Sequence, residues 1–177
     1  MLKKIILIVV ALLVALAVVI QLQPSSFSVT RAADVAASAE RVFGLVNDFH
    51  NWEKWSPWLE LDPAAKYTYS GSSSGSGSVL AWAGNDNVGE GKMTILDSEP
   101  FRRIGIRLEF IKPFPSTAQN EFLFSEGSGA THVSWTMSGE NNFISKAFCL
   151  FMGGMDKMIG PDFEKGLAKM KAAAETR

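Results

Sequence analysis

The sequence is poor in the residues from which metal and redox sites are built. It contains one cysteine, Cys149, and two histidines, His50 and His132, in 177 residues. A single cysteine excludes an internal disulfide and a cysteine-rich metal cage, and neither histidine lies in a His-Glu-x-x-His motif. Dinucleotide fingerprints, phosphate loops and Gly-x-Ser-x-Gly elbows are also missing. The sequence therefore predicts no metal site, no cofactor and no recognisable catalytic residue.

An excess of positive charge is also lacking. Lysine and arginine number 17 against 18 acidic residues, which leaves a formal net charge of −1 and an isoelectric point near 6.1. A protein that binds nucleic acid electrostatically would carry a basic surface, so nucleic acid is excluded as a partner. Hydrophobic residues make up 47% of the chain, which excludes intrinsic disorder.

Only one long hydrophobic run is present. It covers residues 5–22 with Gln21 as the single polar interruption, and as a helix it would span about 27 Å, close to the hydrocarbon thickness of a bilayer. We expect a membrane anchor here; a cleaved signal ending at Ala15-Leu16-Ala17 is the alternative, although strongly apolar residues follow that site. Lys3 and Lys4 favour the cytoplasmic side, which predicts a periplasmic or extracellular C-terminal domain.

Beyond this segment the sequence predicts a polar tether ending at residue 26 and one domain over residues 27–177. Residues 27–31 alternate as a strand, and Ser38 is suited to cap a helix over residues 39–48. Between residues 65 and 139 apolar positions recur with a period of two. Six further strands are marked by Tyr67/Tyr69, Val79/Ala81, Met93/Ile95, Ile104/Ile106/Leu108/Phe110, Phe122/Phe124 and Val133/Trp135/Met137.

Turn residues between these strands predict an antiparallel meander. The Ser- and Gly-rich residues 70–78 have the composition of a flexible linker, but the flanking strands favour a hairpin loop. From Ile144 to Lys171 the period returns to 3.6, which predicts one long helix with a kink at Gly160-Pro161.

Four segments resemble a known family: residues 39–43, the tryptophan-rich residues 48–58, the Gly-x-Thr-x-Val-x-Trp strand at 129–135, and residues 160–167. Together they resemble the polyketide cyclase/dehydrase and lipid-transport group of the SRPBCC (START/Bet v 1-like) superfamily. The resemblance implies an α+β helix-grip fold, in which a curved antiparallel sheet of about seven strands wraps a long C-terminal helix around an apolar cavity. Family members accept varied ligands, so the fold alone does not determine function.

Few side chains are suited to acid–base chemistry. Asp156, Asp162 and Glu164 lie in the C-terminal helix, where acids near a helix start also simply favour its dipole. Cys149 is expected to be a buried, inert thiol, and the parity of His132 places it on the outer face of the sheet.

The inward-facing residues are the more informative feature. A filled hydrophobic core explains all of them, whereas the family resemblance and the flexible methionines favour an open pocket. Asn120 shares the inward parity of Phe122 and is the best candidate for a polar group inside. The predicted ligand-contacting residues are Trp55, Ile106, Leu108, Phe110, Asn120, Phe122, Trp135, Met152, Met155, Ile159 and Phe163.

Three tryptophans, Trp52, Trp55 and Trp58, lie close together in the sequence. They are suited to line a pocket mouth, to touch lipid headgroups, or to fasten the N-terminal helices to the sheet. We expect a membrane-tethered protein that binds a hydrophobic small molecule or lipid. A cyclase or dehydratase with a carboxylate in the cavity, and an envelope interaction module with a closed cavity, are the alternatives. No protein partner is predicted.

Overall fold

The computed structural model describes residues 1–127 and 129–176. It begins with an apolar helix, α1 (Leu2–Gln21), followed by a short tether and strand β1 (Ser26–Val35). Helix α2 (Ala39–Asn47) and two short 3₁₀ helices (Phe49–Lys54 and Trp58–Glu60) come next. The remaining elements are β2 (Lys66–Gly71), β3 (Ser78–Ala83), β4 (Glu90–Glu99), β5 (Arg103–Lys112), β6 (Ser116–Gly127), β7 (Ala130–Glu140), α3 (Phe143–Met152) and α4 (Met155–Glu175).

The seven strands form one curved antiparallel sheet in the order β1-β7-β6-β5-β4-β3-β2. Strands β2 to β7 follow one another as a meander, and β1 joins the free edge of β7. Together with the long helix α4, this confirms the α+β helix-grip fold. The Ser- and Gly-rich segment is a hairpin loop between the paired strands β2 and β3, as predicted.

Helix α2 forms where the capping and periodicity signals agree. The Ser38 hydroxyl accepts a hydrogen bond from the backbone N–H of Arg41, which satisfies one of the unpaired donors at the helix start. Val42, Phe43 and Val46 are buried against the sheet. Asp48 then accepts a bond from the N–H of His50 and starts the first 3₁₀ helix.

The C-terminal helical region differs from the prediction of a single kinked helix. The break lies at Gly153-Gly154, between α3 and α4, and α4 continues through Pro161. Both glycines adopt positive φ angles, 82° and 98°, a region that glycine enters at little cost. The periodicity of the apolar residues continued across this break, which is why the sequence pattern did not reveal it.

Helix α4 lies close to the concave face of the sheet. The ring of Phe163 stacks on Trp135 of β7 with centroids 3.9 Å apart, and both side chains are buried. A Cβ atom at Gly166 would stand 3.0 Å from the Trp135 ring, so the missing side chain permits this approach. The core therefore extends from the concave face of the sheet to α2, the first 3₁₀ helix and α4.

Helix α1 is long and apolar enough to cross a membrane, with a mean hydropathy of 2.9 and almost all of its side chains exposed. By length and composition it is compatible with an anchor or with a signal sequence. Its last residue nevertheless contacts the domain, since Lys146 Nζ of α3 donates a 3.0 Å hydrogen bond to the carbonyl oxygen of Gln21.

Candidate ligand-binding cavity

An apolar cavity of about 270 Å³ lies between the concave face of the sheet, the 3₁₀ helices and α4. Its walls are mainly aromatic and aliphatic. The lining residues are Phe49, Trp52, Ser56, Trp58, Leu59, Tyr67, Tyr69, Leu80, Trp82, Asn87, Val88, Met93, Leu108, Phe110, Asn120, Trp135, Met137 and Ile159. The inner faces thus enclose both a packed core and an open space.

The sheet wall is built by strand parity. On β5, Leu108 and Phe110 point inward, whereas Arg107, the residue before Leu108, is exposed. Register places Leu108 opposite Met93 on β4 and opposite Ala118 on β6. Because side chains alternate between the two faces of a strand, about every second residue of β3 to β7 points to the concave face of the sheet.

The opposite wall comes from the tryptophan-rich segment. Trp52 donates its indole N–H to the carbonyl oxygen of Val46 at 3.0 Å, and this bond holds the ring against the cavity. Trp58 packs edge-to-face on Trp135 with centroids 5.6 Å apart. Ile159 is the residue by which α4 reaches the same space.

Asn120, like Ser56, is a buried polar residue of the cavity wall. Its Oδ1 accepts a 3.0 Å hydrogen bond from the indole N–H of Trp135, and Asn120 is 4% exposed. An indole N–H only donates, so the carbonyl side of the amide must face it. The Nδ2 group donates to no atom in residues 1–127 and 129–176, and it is thereby available to a carbonyl or hydroxyl group of a ligand.

Two tyrosines add hydroxyl groups to the wall. Burial, and secondarily the negative charge of Asp62, raises the pKa of Tyr67. Burial also raises the pKa of Tyr69, whose hydroxyl donates to Glu53 at 3.4 Å. Both phenols therefore remain protonated at neutral pH and can donate hydrogen bonds.

The predicted ligand contacts divide into three groups. Leu108, Phe110, Asn120, Trp135 and Ile159 line the cavity. Four others are buried beside it in the packed core, namely Trp55, Ile106, Phe122 and Phe163. Trp55 belongs to this group because its indole N–H is bound to the carbonyl oxygen of Leu45 at 2.8 Å and its ring packs on Trp135 and Phe122.

Met152 and Met155 lie outside the cavity, which corrects their predicted placement. Met152 is 58% exposed on α3. Met155 lines a separate hollow between the tether and the α3–α4 junction. The departure of Met152 follows from the Gly153-Gly154 break, because α3 no longer continues the helical face that carries Ile159 and Phe163. Met155 is the first residue of α4, one turn before Ile159, and lies beyond the described lining of the cavity.

Several lining residues escaped the sequence prediction. On β3 the sequence marks the strand by the pair Val79/Ala81, and the residues that line the cavity are Leu80 and Trp82. The register Leu80 to Met93 decides this, since Met93 is itself inward. The tyrosine pair of β2 was recognised as a strand pattern, and its alternation with Thr68 already carried the signal for the cavity face.

The acidic residues of α4 serve elsewhere. Arg31 of β1 binds Asp156 at 2.8 Å and Glu164 at 2.7 Å, and both carboxylates are more than 60% exposed. The hydrogen bonds that Arg31 donates to these two carboxylates raise the pKa of Arg31, and they lower the pKa of Asp156. Asp162 is also absent from the described lining of the cavity. Asp156 and Glu164 thus connect α4 to the edge strand β1 through Arg31.

The cysteine and histidines are likewise outside the cavity. Cys149 is only partly buried and lines the hollow beside the tether. His132 is exposed and bonds Asp34 at 2.8 Å, in agreement with its outward parity. His50 bonds Asp48 and stacks on Tyr69 with ring centroids 4.1 Å apart. Across the described residues, no cluster of three or more metal-ligating side chains is found.

A family model described as polyketide cyclase / dehydrase and lipid transport matches residues 26–175. The chain belongs to this family. The match covers β1 to α4, so the cavity lies wholly inside the family domain and α1 lies before it. Membership supports a domain that binds a hydrophobic small molecule or acts on one in a cyclase- or dehydrase-like way.

Solved structures share this fold at low sequence identity. A hypothetical protein, jhp0584, from Helicobacter pylori superposes with a TM-score of 0.64 at 9% identity, covering 84% of this chain and 88% of its own. The Aha1 dimer from Colwellia psychrerythraea gives 0.58 at 16% identity, with 84% and 96% covered. The di-domain ARO/CYC BexL of the BE-7585A biosynthetic pathway gives 0.60 at 16% identity, covering 90% of this chain and 53% of BexL. A search of curated proteins found no match.

Proposed function

We propose that this family member is a membrane-anchored binding protein that holds a hydrophobic small molecule or lipid in the cavity beneath α4. The observation that carries the proposal is the cavity itself, which is bounded by aromatic and aliphatic side chains and is large enough for part of an acyl chain or a ring system. Burial of apolar ligand surface supplies the binding free energy, at about 25 cal/mol per Å².

The polar groups of the cavity suit recognition of a neutral ligand. Asn120 Nδ2 and the Tyr67 hydroxyl are available donors, whereas the Tyr69 hydroxyl already donates to Glu53. Ser56 and Asn87 are further polar lining residues, and the described lining contains no Asp, Glu, Lys, Arg or His. A ligand with a carbonyl or hydroxyl group at one end and apolar carbon elsewhere matches this arrangement. An ionised carboxylate would enter with no cation to pair with, at considerable cost.

The cyclase or dehydratase alternative is retained for one reason. Tyr67 and Tyr69 remain protonated, and a neutral hydroxyl beside a bound carbonyl can polarise it. The carboxylate version of that alternative has less support, because the acids of α4 bind Arg31 at the sheet edge. A cavity of this size also weighs against the closed interaction module.

We further propose that α1 remains attached and holds the domain on the periplasmic or outer side of a membrane. The 20-residue helix is long enough for a bilayer, and Lys3 and Lys4 precede its apolar core. The strongly apolar residues 18–20, which follow the candidate cleavage site at Ala15-Leu16-Ala17, support retention, since a polar cleavage region is expected there.

The direct test is chemical analysis of the purified full chain. The protein is isolated in detergent, washed, denatured and extracted with organic solvent, and the extract is compared by mass spectrometry with an extract of detergent alone. A stoichiometric apolar compound is expected. If neither a compound nor uptake of an uncharged naphthylamine probe is detected, the binding proposal is wrong. Conversion of the bound compound during incubation would establish the enzyme instead.

A further inference from the structure

Helix α3 carries its hydrophobic residues on the side that faces away from the protein. Four of them, Ile144, Phe148, Phe151 and Met152, are 43%, 46%, 70% and 58% exposed. Positions 144, 148, 151 and 152 follow the i, i+4, i+7, i+8 spacing of a single helix face. We call these four residues the α3 apolar face. The charged residue of the helix, Lys146, is instead 7% exposed on the inner side.

This orientation is the reverse of that of an ordinary surface helix, which turns its apolar stripe toward the core. The inner side is kept in place by polar contacts. Lys146 Nζ donates to the carbonyl oxygen of Gln21, and Asn142 Oδ1 caps the helix by accepting from the N–H of Ser145 at 2.9 Å. The bond from Lys146 to Gln21 therefore holds α3 with its apolar face outward.

A neighbouring turn extends the same surface. Ile111 at the end of β5 is 50% exposed, and Phe114 in the β5–β6 turn is 46% exposed. The ring of Phe114 lies 6.0 Å from that of Phe148, measured between centroids, so the turn and the α3 apolar face are contiguous. Phe114 and the four residues of the α3 apolar face thus form one patch of five large apolar side chains, and such patches on soluble proteins mark contact surfaces.

The patch is located where α1 leaves the domain. Gln21, the partner of Lys146, is the last residue of α1. Three residues farther along, the tether is fastened as well: the carbonyl oxygen of Pro24 accepts a 3.1 Å bond from Nδ2 of Asn141, two residues before α3. If α1 spans a bilayer, α3 is held within one helix diameter of the point where α1 emerges, which is the headgroup and upper acyl region.

The cavity extends to this same end of the sheet. Ser26 pairs with Glu140, Phe110 with Ser116 and Ala83 with Glu90, so these residues mark the end of the sheet that lies next to the tether. The cavity residues Trp82 and Phe110 lie at or beside that end. A ligand leaving the cavity there would meet the membrane surface.

We infer that the α3 apolar face and the β5–β6 turn form a lipid-contacting surface that rests this end of the domain on the bilayer holding α1. The inference rests on the proposed anchoring by α1. A bilayer is favoured over a second protein copy because the patch is continuous with the lipid-exposed surface of α1, and its phenylalanines and aliphatic residues are of the kind that enter the headgroup–acyl boundary. The ligand would then be exchanged with the lipid phase.

Site-directed spin labelling of the full chain tests this. Cys149, the single native cysteine, is replaced by serine, and one new cysteine is introduced per variant: Phe151→Cys on α3, Val10→Cys in α1, or Ser73→Cys in the β2–β3 loop at the opposite end of the sheet. Each labelled protein is reconstituted into phosphatidylcholine–phosphatidylglycerol vesicles. Collisions of the nitroxide with oxygen, which concentrates in lipid, are compared with collisions with a water-soluble nickel chelate.

The expected result is that labels at 10 and 151 collide mainly with oxygen, while the label at 73 collides mainly with the nickel chelate. A label in lipid at 10 but in water at 151 would overturn the lipid-contact inference and leave the anchor intact. A label in water at 10 would overturn the anchor itself, and the inference with it.

Two further readouts keep the result decisive. Dipolar broadening at 151 that disappears on dilution with unlabelled protein would assign the patch to a second copy, which also overturns the inference. Met152→Cys, a second position on the same exposed face, must reproduce the result, and circular dichroism confirms that each variant is folded. Since both side chains are exposed, neither change disturbs the core.

Discussion

The indole N–H of Trp135 on β7 and the amide oxygen of Asn120 on β6 are joined by a 3.0 Å hydrogen bond at the wall of the cavity. Trp135 is 1% exposed and Asn120 is 4% exposed. The bond gives the indole N–H an acceptor and the amide oxygen a donor. It also orients the amide so that its NH₂ group remains free for a ligand. One contact thus serves both the stability of the sheet and the polarity of the cavity.

The first prediction concerns this bond. Asn120→Ala should lower the free energy of unfolding by about 1–3 kcal/mol, because the buried indole N–H loses its acceptor. Gln119→Ala, the outward-facing neighbour, should cost far less. Urea denaturation measures both. In a double-mutant cycle with Trp135→Phe, the double variant should lose less stability than the sum of the losses in the two single variants. A loss equal to that sum would show that the bond contributes nothing.

The second prediction tests the strand register. Trp135→Ala should cost about 3–5 kcal/mol, since it removes a ring that stacks on Phe163 and packs on Trp58. His132→Ala, three residues earlier on the outer face, should change stability by less than about 0.5 kcal/mol. Thermal or urea unfolding gives both values. Equal costs at the two positions are incompatible with the inward placement of Trp135.

The third prediction tests the cavity. Leu108→Trp places an indole ring in the space beneath α4 and should reduce the co-purified apolar compound at least about tenfold, at an overpacking cost of about 1–3 kcal/mol. Leu123→Trp makes the same chemical change on the outer face of β6, where Leu123 is 44% exposed. Mass spectrometry of both extracts decides the matter. Equal retention by two folded variants would place the compound elsewhere.

The fourth prediction concerns α1. In cell fractionation the protein should remain with membranes after alkaline extraction, and protease added to spheroplasts should digest the domain while a cytosolic marker survives. Such a result follows from an uncleaved helix with Lys3 and Lys4 on the inner side. A soluble protein beginning near Val18 would instead identify the segment as a cleaved signal.

The fifth prediction concerns pH. Glu60 of the second 3₁₀ helix bonds Lys165 and Lys169 of α4 at 2.8 and 2.7 Å, and these lysines lower its pKa from 4.5 to about 2. A carboxylate with a lowered pKa in the folded state stabilises the fold above pH 4.5, and that stabilisation is lost as the pH falls toward 2.

Glu60→Gln should accordingly be slightly less stable than the native chain at pH 7, and the difference should vanish between pH 4.5 and about 2. The pairs are exposed, so the effect is small and should weaken with added salt. Unfolding midpoints at several pH values provide the measurement. A constant difference across this range would mean that the lysines do not hold Glu60 ionised in the folded state.

Local patterns in the sequence determined the type of most elements and the inward residues of β4 to β7. Alternation is a property of the strand itself, so Ile106, Phe122 and Trp135 were recognised as inward without knowledge of their partners. The apolar run of α1, the capped helix α2 and the family segments were readable for the same reason. On β3 the sequence does not reveal which residues face inward, because Val79 and Ala81 alternate with the equally apolar Leu80 and Trp82.

The tertiary structure decided which inward residues border a cavity and which fill the core. Leu108 and Ile106 have the same parity on one strand, yet only Leu108 lines the open space, because sheet curvature and the distance to α4 vary along the strand. No local pattern encodes that distance. The pairing of Arg31 with Asp156, 125 positions away, also exists only in the folded chain.

The sequence pattern also did not predict the direction in which the apolar face of α3 points. Its apolar residues at helical spacing predicted a buried stripe facing the sheet, together with Met152 as a ligand contact. The break at Gly153-Gly154 and the bond from Lys146 to Gln21 turn that stripe outward. A helix period states only that apolar residues share a face; what that face meets depends on the elements on either side, and these are brought together only by folding.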